Sequence, residues 1–512
     1  MFGRKGRKQN MMKIEKWKMK DVVGFLLLCC SLYIIGRMVG FCFSEDIWYD
    51  EVFSAGMMRY SYKEIMNFTA QDVHPPLYYW YLKTFVDIGK AFWGKIDSVI
   101  FAKLASVIPM IGLWILAVTK LHKQCGMLTA GIFIFCVYTM PQLTLYSVEI
   151  RMYSFALFLV TMAYFYGYEI YKTRQKKAFV GLFICGILVA YTQYFSCIAI
   201  ALLYLIVGAG IWKDTQARKQ WLANVAASVI CYLPWMPTVI KQFTTVNSSY
   251  WIQPLTWRSL AGCVKYIYLP SGGNPTLNYV FAALMILATL FLGIFFWWKR
   301  GSLKAVCSEE GFYICLGLGM LGGLILIGVG VSILVSPVFV YRYMTPCLGA
   351  FWFVYALLLA DCKKKGLWIP VLLLTLYVGF INVKGVFWEE THKATQMKET
   401  KKCLDIIQED DVLIYNFNHV QATLGYYKNN ESYLLYYEPE ELIQKIYRDY
   451  GMIDDVKQIQ ELLRQGKNVY FLGSFVSRED IVAEWQDQGL KVEEEGSYLL
   501  ERYWFNLYSV KE

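Results

Sequence analysis

The sequence predicts an α-helical polytopic membrane protein with about eleven transmembrane helices and a small C-terminal α/β domain. Three observations predict it. Of the 512 residues, 57% are hydrophobic, 17% aromatic and only 18% charged, whereas a soluble globular chain carries about 25% charged residues. Apolar runs near the roughly 20 residues needed to cross a bilayer recur between residues 21 and 385, separated by short basic stretches. The charge then changes sign: residues 1–385 hold 36 Lys+Arg and 16 Asp+Glu, whereas residues 386–512 hold 14 and 24. A basic membrane part with an acidic tail places the two in different environments and does not point to nucleic acid.

Residues 1–20 form a basic N-terminus with eight Lys/Arg and one Glu. The apolar run that follows, Val22–Phe43, is too long for the core of a cleaved signal peptide and lacks a small-residue cleavage site. It is expected to be an uncleaved first span with its N-terminus in the cytoplasm. Ten further spans are expected at 98–119, 126–145, 153–171, 178–192, 195–212, 221–240, 277–298, 311–335, 343–360 and 366–384. The loops this leaves inside, 120–124, 172–177, 213–220, 299–310 and 361–366, all carry Lys or Arg, as cytoplasmic loops do. The loops left outside are 44–97, 146–152, around 193, 241–276 and 336–342, together with everything after about 385.

The 14 cysteines form no CxxC pair and lie mostly inside apolar runs. They read as small hydrophobes rather than a disulfide framework. The tail, 391–512, alternates β-like runs (Asp411–Tyr415, Asn468–Leu472) with helix-like stretches (440–449, 453–465), as an extracytoplasmic α/β domain would. Sequons at Asn67, Asn247 and Asn430 are short enough to arise by chance.

The chemistry is concentrated in the outer loops. In 44–97, Asp50-Glu51 precedes Asp72-x-His74-Pro75-Pro76-Leu77-Tyr78-Tyr79. Asp50 is placed to cap a short helix over 51–59, and Ser61-x-x-Glu64 is a capping box opening a second helix. Pro75-Pro76 ends the helical pattern and holds His74 extended. The next outer loop carries Tyr146-Ser-Val-Glu149-Ile-Arg151-Met-Tyr153, with Glu149 and Arg151 at a membrane boundary. Tyr191-Thr-Gln193-Tyr194-Phe195, Tyr232-Leu-Pro234-Trp235-Met-Pro237, Tyr250-Trp251-Ile-Gln-Pro254 and Arg342-Tyr343 follow on the same side. A carboxylate at the membrane surface can serve as general base on an acceptor hydroxyl or amine. A neighbouring guanidinium can hold a phosphate with two hydrogen bonds. Structural alternatives stand beside these readings. Asp50 can be a cap, Glu51 its partner, Asp72 and His74 a lock on the turn, Glu149–Arg151 an interfacial ion pair, and Arg342 a snorkelling side chain.

In their order, these elements resemble the GT-C glycosyltransferases, in particular the family of protein O-mannosyltransferases and lipid A aminoarabinose transferases, over roughly residues 20–385. The resemblance implies transfer of a hexosyl or pentosyl group, with inversion, from a polyprenyl-phosphate sugar. The acceptor, on the outer face, would be a protein, a lipid or a glycan. It implies Asp50 as the base, with Glu51 and Asp72 as catalytic partners. Arg151, Arg342 and Tyr343 would hold the donor phosphate, and His74, Tyr146, Glu149, Tyr153 and Tyr194 would form the substrate pocket. Relatives often carry His where this chain has Gln193, which puts a role for that position in doubt. No cofactor motif is read. A divalent cation, were one used, would take Asp72, His74 and Glu149. The small tail, with no recognisable eukaryotic appendage, makes a bacterial plasma membrane the expected setting. A flippase of lipid-linked sugars is the alternative from another class, although such folds show paired halves and midplane charges, and no internal repeat is present. A surface-polysaccharide polymerase or ligase would share the donor chemistry.

Overall fold

The computed structural model describes residues 18–512 except 45, 247–251, 302–307, 363–365, 437–445, 447–448 and 501–502. The first span is α1, Met19–Phe41. The loop after it folds into three helices: α2 (Tyr49–Gly56), α3 (Tyr62–Gln71) and α4 (Leu77–Phe92). Then come α5 (Ser98–Leu116), α6 (Met127–Thr139), α7 (Tyr153–Thr173), α8 (Lys176–Ala190) and α9 (Tyr194–Ile211). They are followed by α10 (Thr215–Tyr232), α11 (Met236–Val246), α12 (Ser259–Tyr268), α13 (Pro275–Arg300), α14 (Glu309–Leu334), α15 (Leu348–Asp361) and α16 (Trp368–Ile406).

Every expected span falls on a helix, but the lengths differ. Among the described residues, eight helices are long and apolar enough to cross a membrane by length and composition. The intervals 126–145, 153–171 and 178–192 hold α6, α7 and α8, which are shorter or less apolar. The protein is a multi-pass membrane protein of mostly helical architecture with a small C-terminal sheet domain. The last span does not stop at 384. Helix α16 continues to Ile406, and its 39 residues reach about 58 Å at 1.5 Å per residue, well beyond a hydrocarbon core of about 30 Å.

Close helix packing in the bundle depends on small residues, as it does in lipid, where burial from water does not drive helices together. A Cβ at Gly24 of α1 would lie 2.3 Å from the Met127 carbonyl oxygen, and one at Gly131 of α6 would lie 2.4 Å from the Gly24 carbonyl oxygen. The basic loops meet at one end of the bundle. There Lys172 pairs with Glu309 (2.6 Å), Lys299 with Asp361 (3.1 Å), Arg300 with Asp361 (3.6 Å), Arg174 with Asp214 (3.6 Å) and Lys120 with Glu169 (2.8 Å).

The loop 44–97 corrects one expectation. Trp48, not Asp50, is the N-cap of α2. Glu51 accepts the Trp48 N–H at Oε2 (3.2 Å), so it fills the capping role and leaves the Asp50 carboxylate for other partners. The Ser61–Glu64 capping box forms as expected, with the Ser61 N–H donating to Glu64 Oε2 at 2.8 Å. Helix α3 ends before the prolines, and α4 starts directly after Pro76.

In the tail, β1 (Val412–Tyr415), β2 (Glu431–Leu435), β3 (Tyr450–Ile453), β4 (Val469–Ser474), β5 (Lys491–Leu500) and β6 (Tyr503–Lys511) form one sheet of order β3-β2-β1-β4-β6-β5. The first four strands run parallel and the last two antiparallel. The expected runs at 411–415 and 468–472 are β1 and β4, adjacent and in register from Val412↔Val469. Helix α17 (Asn418–Tyr427) follows β1, α18 (Val456–Arg464) takes the expected 453–465 stretch, and α19 (Ser477–Asp487) follows β4. The expected 440–449 helix and Tyr250-Trp251 lie largely outside the described residues. Asn430 is buried, and its side-chain amide donates to the carbonyls of Gln408 (2.6 Å) and Asp411 (2.8 Å), so the Asn430 sequon is a structural site.

Candidate active site

The loop elements gather at the end of the bundle opposite the basic loops. Helix α2 presents Asp50 on its first turn, and the carboxylate faces two guanidiniums from distant parts of the chain. Arg342, in the 3-10 turn Tyr341–Cys347, places Nη1 2.6 Å from Asp50 Oδ2. Arg151 places Nη2 4.0 Å from the same oxygen, and its Nη1 donates to the Asp50 backbone carbonyl at 3.1 Å. Burial alone would raise the Asp50 pKa, but Arg151 and Arg342 outweigh it and hold the carboxyl below its usual range.

Beneath this pair lies a second layer of buried charge. Glu51 is 4% exposed and accepts the Ile150 N–H at Oε1 (2.7 Å), which fixes α2 to the 146–152 loop. Ser106 of α5 donates to the Glu149 carbonyl oxygen (2.7 Å) and holds that loop from behind. Burial pushes both Glu51 and Glu149 well above the carboxylate range, and the Glu51 charge raises Glu149 further. Lys103 and Lys393 oppose the rise at Glu51, and Lys393 and Arg151 the rise at Glu149; each lysine has its own acid, Asp46 at 3.1 Å and Glu390 at 2.8 Å.

The Asp72-x-His74-Pro-Pro turn docks through the backbone. The Leu77 N–H, which the start of α4 leaves without an intrahelical partner, donates to the Tyr191 carbonyl (3.0 Å). This joins the turn to the Tyr191–Phe195 element. His74 Nδ1 and Asp72 Oδ2 pair at 2.7 Å. Beside them opens an apolar cavity of about 230 Å³ between α9, α11 and α14. Val239, Ile327, Val331 and Val338 line its apolar walls, and His74, Gln193, Tyr194, Gln242 and Tyr343 its polar end. Gln242 accepts from the Tyr194 hydroxyl and donates to the Thr69 carbonyl at 2.7 Å, while Trp235 Nε1 donates to Tyr194 Oη at 3.0 Å. Tyr343 stacks on Phe195 with centroids 4.7 Å apart.

Asp50, Glu51, Glu149, Arg151 and Arg342 therefore come together. Tyr146 and Tyr153 pack side by side (4.6 Å) next to them, and His74, Tyr194 and Tyr343 line the adjoining cavity. Asp72 does not join Asp50; its partner is His74. The metal set Asp72, His74 and Glu149 does not assemble. Among the described residues no three His, Cys, Asp or Glu side chains converge as a cation site requires. The physical reason is that Asp72 and His74 bond to each other, while Glu149 faces Glu51 in the buried layer. Sequence reasoning missed Asp46, Lys103, Ser106, Gln242, Glu390 and Lys393. Lys103, inside an apolar run, was the one visible signal. Buried polar atoms in this region without a hydrogen-bond partner among the described residues include Glu149 Oε2, Arg151 Nε, Tyr79 Oη, Tyr153 Oη and Gln193 Nε2. Such orphans suit a site that receives a polar ligand.

Residues 73–237 match the family model described as dolichyl-phosphate-mannose-protein mannosyltransferase. The matched stretch holds His74, Tyr146, Glu149, Arg151, Tyr153 and Tyr194, while Asp50, Asp72 and Arg342 lie outside it. The fold is similar to that of ArnT from Cupriavidus metallidurans. The apo crystal structure aligns with TM-score 0.55 and 12% identity over 95% of this chain and 97% of that one. The structure of ArnT bound to undecaprenyl phosphate aligns with TM-score 0.53 and 14% identity over the same shares. No curated protein sequence matches the chain. The chain is thus a multi-pass membrane protein with the fold of ArnT, and residues 73–237 within it match the mannosyltransferase family model.

Proposed function

We propose that this protein is a membrane glycosyltransferase that moves a sugar from a polyprenyl-phosphate donor to an acceptor on the outer face of a plasma membrane. One observation carries the reading: a carboxylate held between two guanidiniums, beside the polar end of an apolar cavity. The cavity suits a lipid chain, the guanidiniums suit its phosphate, and the carboxylate suits an acceptor proton. The undecaprenyl phosphate bound in the ArnT structure supports the donor class. The family model supports glycosyl transfer.

The chemistry is a single displacement. The acceptor oxygen or nitrogen attacks the anomeric carbon, its proton passes to Asp50, and the bond from that carbon to the phosphate oxygen breaks. The lipid phosphate leaves with the bonding pair, and Arg151 and Arg342 stabilise its charge. The anomeric centre inverts, and the sugar is a hexose or pentose. Without donor, Asp50 is a weak base because the guanidiniums hold its pKa down. An arriving phosphate competes for the same guanidiniums, frees Asp50 and restores its basicity. Donor binding thereby switches the base on. Asp72 and His74 shape the rim. The tail domain lies outside the membrane, the basic loops inside, and the membrane is bacterial.

The test is mass spectrometry of lipid-linked sugars in cells carrying the wild-type chain or Asp50→Asn. A polyprenyl-phosphate sugar that accumulates only in the variant is the expected outcome. Unchanged lipid-linked sugars at equal protein levels would remove the reading.

A further inference from the structure

The site so far accounts for the first turn of α2 but not for its other end. Helix α2 has eight residues, shorter than the 12–15 at which an isolated helix becomes even marginal in water. Its N-terminal half is fixed by Glu51 to Ile150 and by Asp50 to the arginines. Its C-terminal half is fixed by the tail domain. Gly56, the last residue of α2, packs against the tail so closely that a Cβ there would lie 2.5 Å from the Ile446 carbonyl oxygen and 3.1 Å from its Cγ2. The backbone at Gly56 is ordinary helix (φ −58°, ψ −38°), so glycine is required there by space and not by conformation. One turn on, the Arg59 guanidinium lies 4.9 Å over the Tyr426 ring and donates to the Tyr426 carbonyl at 3.2 Å. The Tyr426 hydroxyl reaches Ser98 Oγ at the start of α5 (3.4 Å). Tyr426 and its neighbour Tyr427 close α17, so one end of a tail helix grips both α2 and α5.

We infer that the C-terminal α/β domain braces the helix that carries the base, with Gly56, Arg59 and Tyr426 as positioning residues. The inference rests on the glycosyltransferase reading for its consequence, not for its geometry. Asp50 lies six residues before Gly56 on the same rigid element, so a tilt at Gly56 is transmitted to the carboxylate and its distance to the arginines. The acceptor proton must meet Asp50 in one geometry, and a displacement of about 1 Å can cost 10²-fold in rate.

The experiment uses the full chain in lipid nanodiscs with two readouts. Amide hydrogen exchange of peptides covering residues 48–59 is followed by mass spectrometry, and steady-state transfer is measured with a polyprenyl-phosphate sugar. In Gly56→Leu and Tyr426→Ala, exchange over 48–59 accelerates while the spans keep wild-type protection. The value of kcat falls about 10²-fold, with the donor KM within about twofold of wild type. Tyr426→Phe, which keeps the ring under Arg59 and loses only the hydroxyl that reaches Ser98, recovers most of what Tyr426→Ala loses. Gly56→Ala discriminates further: helix propensity alone would make it stabilising, whereas the brace makes it loosen α2. Unchanged exchange in Gly56→Leu and Tyr426→Ala overturns the brace, and so does accelerated exchange with undiminished kcat. A wild-type chain that transfers no sugar, yet shows the exchange changes, supports the brace and overturns the transferase reading instead.

Discussion

Replacing Asp50 by Asn should act in opposite directions on two steps of the proposed reaction. Removing the general base lowers the transfer rate by roughly 10²–10⁴-fold, about 3–5 kcal/mol of barrier at 1.36 kcal/mol per decade. Donor binding should meanwhile become tighter, because the guanidiniums lose a competitor. The competing carboxylate lies 2.6 Å from Arg342 and 4.0 Å from Arg151. A pair of unit charges at 4 Å is worth about 4 kcal/mol at an effective dielectric of 20. The Asp50 and Arg342 side chains are 22% and 23% exposed, so water returns much of this when the pair opens. A residue of about 1–2 kcal/mol remains, a factor of 5–30 in affinity. The assay pairs isothermal titration of the purified variant with polyprenyl phosphate against single-turnover transfer from the glycosylated donor. Tighter binding with collapsed turnover is the expected pattern. Unchanged or weaker binding would refute the competition between carboxylate and phosphate. Turnover above about a tenth of wild type would refute the base assignment.

The other expectations follow from the layers around that pair. Glu51 and Glu149 titrate above their unfolded-state range, so the stability they confer is complete at acid pH and lost as the pH rises. The thermal midpoint in detergent should fall between roughly pH 5 and 8, and Glu149→Gln should flatten that fall and exceed wild type at the alkaline end. Arg342→Lys keeps the charge but loses the planar fork, so donor affinity should drop about tenfold in the same titration, and an unaltered affinity would remove Arg342 from the phosphate site. Gln242→Ala leaves the Tyr194 hydroxyl without its acceptor and removes the amide that donates to the Thr69 carbonyl. It should cost about 1–3 kcal/mol, read as a lower thermal midpoint. Gly131→Leu should separate α1 from α6, because its first side-chain atom already meets the Gly24 carbonyl at 2.4 Å, and loss of a monodisperse species in detergent is the measure.

What could be read from the sequence follows from how local each cause is. Spans, the capping box at Ser61 and the two adjacent strands at 412–415 and 469–474 depend on neighbouring residues, and they formed where expected. A cap at Asp50 is the structural alternative to its reading as the base, because a cap needs only the next few residues. The actual partner of Asp50 is 292 residues away, and no local pattern encodes that pairing. The helix began earlier because Glu51 could satisfy the Trp48 N–H, a choice that releases Asp50. The failed cation set has the same origin. Asp72 and His74 are two residues apart and satisfy each other, while Glu149 is committed to the layer below.

A signal that was present but unused is the ionisable residue in an apolar context. Lys103 lies inside the run 98–119 and is 3% exposed, and its partner Asp46 comes from the loop before α2. A buried ammonium is costly unless an acid pairs with it. Its presence in a span therefore already required an outer-loop carboxylate to fold inward. Lys393, on α16, finds its acid locally in Glu390, three residues earlier on the same helix. Lys103 and Lys393 both oppose the effect of burial on Glu51, and Lys393 also that on Glu149. Asp50 itself caps nothing: Trp48 takes the N-cap place of α2, and the Asp50 carboxylate pairs with Arg342 instead.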